Sequence, residues 1–459
     1  MRNTALNRFE SAKWIGLSDN TFYLILLLFS LIGYSSIENA IAADTGFSVS
    51  KALPVQIIEQ TNNDQKQISF TAFDKTFNLV LQENKPLMKN YEGQAQGIKL
   101  YAGTIEDSAN SWARISVIDG EYSGALYDGD ELYLLDSGEA LVDVVAAESK
   151  LAMLRTRNAI YRASDLSSTS TCAVHSTHDH PEQSFSYDKL VSNLKNQRAT
   201  NSDQIENFDI TVGEATASQQ INVSIVADTQ YAAANPNNPE AQLLSQMNIV
   251  DGIFSEQVDV QFGIQEIRVL TDNGPLSSTN ASTLLGQYQS FIGNDNPGLS
   301  HLFTGRNLDG STAGIAFLNA TCTANGVGLT QIGNNDTTTA LIAAHEFGHN
   351  FGAPHDNQSG SVCVATPGTF LMNPFINGSN QFSQCSLQQI DNLLSFNSRS
   401  FCLVDIEPEP DPIPEDDDDP TSDDPSSDDP TPDDQDVFGI ILSLLPVLAA
   451  LRSESTTGN

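Results

Sequence analysis

The segment His345-Glu346-Phe347-Gly348-His349-Asn350-Phe351-Gly352-Ala353-Pro354-His355-Asp356 restricts this chain more than any other stretch. Residues four apart share one face of a helix, so His345 and His349 can grip a single ion together. The preceding run, Thr337 to Ala344, turns apolar toward its end. That pattern predicts a buried helix over about 337–350 that carries both ligands into a cleft. Glu346 projects beside the ion, where it can take a proton from water. Gly352 tolerates backbone angles that other residues avoid, so the chain can turn and return His355 as a third ligand. Three protein ligands leave a fourth position open, the arrangement of a catalytic rather than a structural zinc site. A bare HExxH arises by chance; the added Gly352, His355 and Asp356 make chance a poor explanation.

The extended segment resembles the zinc signature of the metzincin metalloproteases. The Asp after the third His resembles their adamalysin (reprolysin, ADAM-like) branch. Met372 is the only Met downstream of Glu346, and Leu371-Met372-Asn373-Pro374 resembles that branch's Met-turn. Phe382-Ser383-Gln384-Cys385-Ser386 resembles the start of its last helix. The likeness covers roughly residues 218 to 403, with a weaker match upstream. It implies an α/β (α+β) catalytic domain, a twisted mixed sheet with a zinc helix, that hydrolyses peptide bonds of proteins or peptides. Water activated by zinc would attack the carbonyl, with Glu346 as general base and later as proton donor to the leaving amine. The substrate would pair with an edge strand at Gly314, Ile315 and Ala316; the alternative for this run is an ordinary core strand. Asp356 would be structural. His301, far from the motif, reads as a fold residue. Calcium near the first strand occurs in some members, but Asn222 stands where they carry a carboxylate, which argues against it here.

Five cysteines in an exported chain suggest disulfides with one left over. Cys322, Cys363, Cys385 and Cys402 allow three pairings, and spacing does not choose among them. The resemblance implies Cys322 with Cys402 and Cys363 with Cys385. Cys172 remains, upstream of the catalytic region. A thiolate is a strong zinc ligand, so Cys172 can act as a latency switch that fills the open position of a precursor. Metzincin precursors use such a switch, although Thr171-Cys172-Ala173-Val174 departs from the usual motif. The alternative is a free cysteine in a linker. His175, His178 and His180 beside it read as a solvated His-rich stretch rather than a second metal site.

The rest of the chain divides by composition. Residues 1–42 carry Arg2, Arg8 and Lys13, then an apolar stretch from Phe22 to Ile32, then Ala40-Ile41-Ala42. This reads as a secretory signal peptide, with an uncleaved anchor as the alternative. Residues 43–165 read as β-rich, with alternating runs at 67–73 and 76–81, further runs at 113–118 and 131–135, and turn signals Asp119-Gly120 and Asp128-Gly129. The order from Ala72-Phe73-Asp74 through Gly124 resembles the reprolysin propeptide; an unrelated β domain is the other reading. Residues 166–217 are polar and read as a linker bearing the switch. The catalytic region, 218–404, shows strands and helices in alternation: a strand at 221–227, a helix at 239–257, a strand at 258–270, a helix at 281–292, then three short strands.

Much of the net charge of −37 is local, since 405–436 holds sixteen acidic residues and no basic ones. Such a Pro- and Asp-rich tract reads as an extended, disordered spacer, and an acidic chain of this kind is a poor nucleic-acid ligand. Residues 437–459 contain an apolar run, Val437 to Leu451, then Arg452. The order loosely resembles bacterial C-terminal sorting signals, so cell-surface or membrane attachment is one expectation and a short docking helix the other.

The leading reading is therefore a bacterial-type, secreted zinc endopeptidase made as a latent precursor. A catalytically silent binding or adhesion protein on the same scaffold is the alternative. Against it, no ligand or base is lost, and no Cys-dense module follows Cys402.

Overall fold

The computed structural model describes residues 46–175 and 217–406, apart from 63–64, 92, 94–96, 154–155, 294–295 and 334. The expected signal peptide, most of the polar linker, the acidic spacer and the apolar C-terminal run lie outside the described residues. So do His178 and His180.

The first region is built from β1 (Phe47–Val49), β2 (Ala52–Pro54), β3 (Ile58–Asn62), β4 (Gln65–Ala72), β5 (Lys75–Glu83), β6 (Ile98–Ile105), β7 (Trp112–Ile118), β8 (Glu121–Tyr127), β9 (Leu132–Asp136), β10 (Ala159–Arg162), β11 (Leu166–Ser168) and β12 (Thr171–His175). Strands β2 to β10 form one antiparallel sheet in the order β2-β10-β9-β8-β7-β6-β5-β4-β3. Two of its hairpins turn through residue pairs with positive φ, Phe73-Asp74 and Asp119-Gly120. Such pairs match the twist of the flanking strands. Side chains alternate across this sheet. Ala113 and Ile115 of β7 join one apolar cluster with Ile68, Leu79 and Leu135. Trp112, from the same strand, joins a second cluster that continues into the next region through Leu243, Met247 and Val250.

The second region contains β13 (Gln219–Ala227), helix α1 (Pro239–Val258), β14 (Val260–Val269), helix α2 (Ala281–Ile292), β15 (Leu299–Thr304), β16 (Thr312–Phe317), β17 (Val327–Gln331), helix α3 (Asp336–Asn350), helix α4 (Gln384–Leu394) and β18 (Leu403–Asp405). Its strands lie in the order β16-β17-β15-β13-β14. All neighbours are parallel except β16 and β17. Mixed α/β architecture follows from alternation: strands buried on both faces need helices to cover them. The helices start where the sequence supplies caps. Asn238, Asn280, Asn335 and Ser383 accept from the backbone N–H groups of Ala241, Thr283, Thr338 and Ser386.

Two expected boundaries change. Residues 166–175, expected as the start of a linker, instead form β11 and β12. Strand β12 joins the edge of the second sheet, running parallel to β16. Its Ser/Thr-rich surroundings show no apolar alternation; an open sheet edge, not local pattern, orders them. Residue 404, expected as the end of the catalytic region, falls inside β18, which pairs with Gln219–Ile221 of β13. The structured region runs on to Ile406, whose N–H donates to the Ser218 carbonyl at 2.8 Å. Among the described residues no helix is long and apolar enough to cross a membrane.

Candidate metal centre and the strand across its cleft

Helix α3 is buried along its length from Thr337. His345 and His349 lie one turn apart on it, as the spacing requires. Gly352 follows at φ +100°, a conformation that a Cβ would strain, and the turn returns His355. The three Nε2 atoms converge: His345 to His349 at 3.1 Å, His349 to His355 at 3.1 Å, His355 to His345 at 3.2 Å.

The outer ring nitrogens decide what these contacts are. Nδ1 of His345 donates to the Leu371 carbonyl at 2.7 Å, and Nδ1 of His349 to the Ala353 carbonyl at 2.8 Å. Nδ1 of His355 donates to Oε1 of Gln358 at 2.7 Å. Carbonyl oxygens only accept, so each Nδ1 carries the proton and each Nε2 presents a lone pair. Burial reinforces this. It holds His345 down to about pKa 3 and keeps His349 and His355 below the usual imidazole range, so all three stay neutral. Three lone pairs facing one another repel unless a cation sits among them. A tetrahedral ion about 2.0–2.1 Å from each nitrogen would space the nitrogens about 3.3–3.4 Å apart, close to what is seen. The residues fit zinc, and the backbone and Gln358 acceptors supply the outer hydrogen bonds that orient such ligands.

Glu346 is fully buried beside this group, with the Cys172 thiol as its hydrogen-bond neighbour. Burial pushes its pKa well above the usual carboxylate range. A Cβ on Gly314 would sit 2.4 Å from Glu346 Oε1, so only glycine on β16 leaves room for that carboxylate. Met372 packs below. Its sulfur would lie 2.6 Å from a Cβ at Gly348, and its carbonyl accepts from Asp356 N–H at 2.8 Å. Asp356 Oδ1 accepts from Ser383 and Ser386 at 2.9 and 3.3 Å, tying the site to the start of α4. Asp356 is thus a structural brace. Cys322 pairs with Cys402 and Cys363 with Cys385.

Cys172 is the free cysteine among the described residues, and it is buried. One ligating atom each from Cys172, His345 and Glu346 lies within 4.8 Å of the others. Burial, then the neighbouring Glu346, pushes the thiol's pKa well up in the absence of a cation; a bound divalent ion would reverse that. The strand that carries it is held from both flanks. Cys172, Ala173 and Val174 pair in register with Gly314, Ile315 and Ala316 of β16. Opposite, Cys172 N–H donates to the Pro374 carbonyl at 2.9 Å, and Ile376 N–H to the Ser170 carbonyl at 3.2 Å. Strand β12 therefore lies across the cleft like a bound peptide.

His301 is not part of the centre. It is buried against the Phe347 ring at 4.6 Å, with Nε2 beside Thr330 Oγ1 at 2.9 Å. Asn222 Oδ1 accepts from Asn90 at 3.0 Å and Gln220 at 3.2 Å. Sequence reasoning missed Gln358, which the Asp-Asn-Gln stretch after the motif gives no reason to single out. It also missed the carbonyls of Leu371 and Ala353, which only the fold brings to the rings.

Residues 217–383 match the sequence profile of Metallo-peptidase family M12. This region is a metallopeptidase domain of the adamalysin/reprolysin type. The chain is 38% identical over 104 residues to human disintegrin and metalloproteinase domain-containing protein 9, a match covering 22% of this chain and 12% of that one. It is 34% identical over 113 residues to hemorrhagic metalloproteinase-disintegrin-like kaouthiagin of Naja kaouthia, 24% of this chain and 26% of the relative. Mouse disintegrin and metalloproteinase domain-containing protein 19 is 27% identical over 198 residues, 40% and 21% respectively. The matches thus span about a quarter or less of each relative's own length.

Proposed function

We propose that this chain is a secreted, zinc-dependent endopeptidase made as a latent precursor. The observation that carries the reading is the convergence of three neutral imidazole lone pairs beside a buried carboxylate. His345, His349 and His355 would hold the metal. Zinc there would supply a Lewis acid for a carbonyl and acidify a water toward a pKa of about 7. Glu346 would be the group that accepts a proton from water and delivers it to the leaving amine.

An extended substrate would take the place of β12, pairing with β16 by backbone hydrogen bonds that demand little of sequence. Residues 43–165, together with β11 and β12, act as the propeptide. Cys172 then blocks the open metal position from a strand that already occupies the peptide track. Maturation cuts between 176 and 216, where Lys195 and Arg198 are candidate sites. Export through the N-terminal segment is supported by the two disulfides, which persist in oxidising compartments. The acidic tract at 407–436 is a spacer, and the apolar run Val437 to Leu451 is a sorting or attachment segment.

The test is cleavage of a peptide library by the processed protein, with and without a zinc chelator. Cleavage that zinc restores after chelation is expected. Absence of cleavage by protein with one zinc bound per chain would overturn the reading.

A further inference from the structure

Most of β12 is held in the cleft by backbone, but one of its residues is also met by side chains on both flanks. Thr171 comes one residue before Cys172, whose thiol stands beside Glu346. On one flank its N–H donates to the Ser311 carbonyl at 2.7 Å, and its Oγ1 lies 3.1 Å from Ser311 Oγ. On the other flank it forms an antiparallel bridge with Phe375. Two bonds frame that bridge: Cys172 N–H to the Pro374 carbonyl at 2.9 Å, and Ile376 N–H to the Ser170 carbonyl at 3.2 Å. Thr171 and Phe375 are therefore a non-hydrogen-bonded pair, the kind that brings side chains closest, with Cα atoms about 4.5 Å apart.

Alternation fixes the face they share. Cys172 points inward to His345 and Glu346, so Thr171 and Phe375 point outward, over the mouth of the cleft. Phe375 is still 58% exposed with Thr171 beside it. Its backbone is preset. Phe375 N–H donates to Asn373 Oδ1 at 3.4 Å, Asn373 Nδ2 donates to the Gly368 carbonyl at 2.6 Å, and the next residue, Ile376, is buried. A chain in this track thus passes between an aromatic wall and an exposed hydroxyl.

We propose that Phe375 and Ser311 form a side-chain-selective subsite for the peptide substrate, one residue from the residue at the metal, and that it takes threonine before valine and valine before alanine. The proposal rests on the reading of the domain as a peptidase. A branched methyl packs on the ring as a cross-strand neighbour, and a hydroxyl reaches Ser311 Oγ. Valine keeps the first contact and loses the second. Alanine makes neither. Branching at Cβ also favours the extended backbone that the track requires. Elsewhere along β16 backbone pairing is indifferent to the side chain, so selectivity confined to one position is the signature of the pair.

The test uses the processed, zinc-loaded protein and a series of quenched-fluorescence peptides of one parent sequence. Each position within three residues of the cut carries Thr, Val, Ala or Lys in turn. At one position Thr should exceed Ala by about fivefold or more in kcat/KM, with the difference in KM. Phe375→Ala should level Val and Ala there while Thr stays ahead of both. Ser311→Ala should level Thr and Val while both stay ahead of Ala. Both residues are exposed, so neither substitution opens the core. The same peptides are titrated by anisotropy into the Glu346→Gln variant, where the order of Kd values reads the subsite without turnover. A flat profile at every position, or an order that both substitutions leave intact, overturns the subsite. Ordered binding without cleavage by the Glu346 protein would keep the subsite and overturn the peptidase reading instead.

Discussion

Helix α1 meets β7 of the first region across a buried, largely apolar seam that holds a few polar groups; the metal centre on α3 is buried too, but the two treat their polar groups in opposite ways. At the seam, Asp251, Arg114, Asn84 and Asn248 all have partners. At the centre, three imidazole lone pairs face one another, and Glu346 meets no more than the Cys172 thiol. Burying a polar group without a partner costs about 1–3 kcal/mol, more when it is charged. A fold tolerates that cost where a ligand later supplies the missing interaction. The satisfied cluster is therefore read as adhesion and the unsatisfied one as chemistry.

The largest test of this contrast is His349→Ala. Removing one of the three converging ligands should abolish metal binding and peptidase activity together. One zinc per chain in that variant, measured by elemental analysis, would show that the centre is not a metal site. Glu346→Ala should keep the zinc and lose about 10²–10⁴-fold in kcat, because general base catalysis is lost while the ligands stay. Wild-type turnover there would remove Glu346 from the chemistry.

Gly314→Ala asks whether the buried carboxylate depends on its empty neighbour. The new methyl would crowd Glu346 Oε1, so kcat of the processed enzyme should fall about tenfold with zinc retained. An unchanged kcat would mean that the carboxylate has freedom to move aside. Cys172→Ser probes both clusters at once. The uncut precursor should gain activity several-fold, yet stay below the cut and separated enzyme, because β12 still pairs with β16 and with the backbone at Pro374 and Ile376. Full activity of the uncut variant would leave that strand pairing no share in latency, and latency equal to wild type would remove Cys172 from it.

The smallest effect concerns His301. Burial lowers its pKa to about 3, against about 6.5 for an exposed imidazole. Below pH 6.5 the unfolded chain takes up a proton that the folded chain refuses. Stability is thus lost as pH falls from about 6.5 toward 3 and regained as it rises, with a slope of at most about 1.4 kcal/mol per pH unit from this group. His301→Gln should flatten that part of the stability–pH curve in urea unfolding. An unaltered slope would assign the acid sensitivity to other groups.

Local pattern carried much of this. The spacing of His345, His349 and His355 with Gly352 placed the ligands on a helix and a turn, because helical periodicity and glycine's conformational range are properties of a few neighbouring residues. The helix over 281–292 and the hairpin at Asp119-Gly120 are readable for the same reason, whereas the turn at Phe73-Asp74 falls where the pattern continues a strand through Phe73. Gly314, by contrast, was chosen as part of an edge strand, with no sign that its lack of a side chain makes room for Glu346.

What only the tertiary structure decided are the partnerships between residues far apart in the chain. Strand β12 reads as linker from sequence, since Ser168-Thr169-Ser170-Thr171 has no alternation; its order comes from the bare edge of β16, some 140 residues away. Arg114 and Asp251 stand 137 residues apart, and nothing near either one announces the other. Sequence by itself determined the metal-binding motif, since its geometry is written within one helix and one turn. The fold alone determined what lies across the cleft and what holds it there, because sheet edges and buried ion pairs join surfaces whose meeting no local pattern encodes.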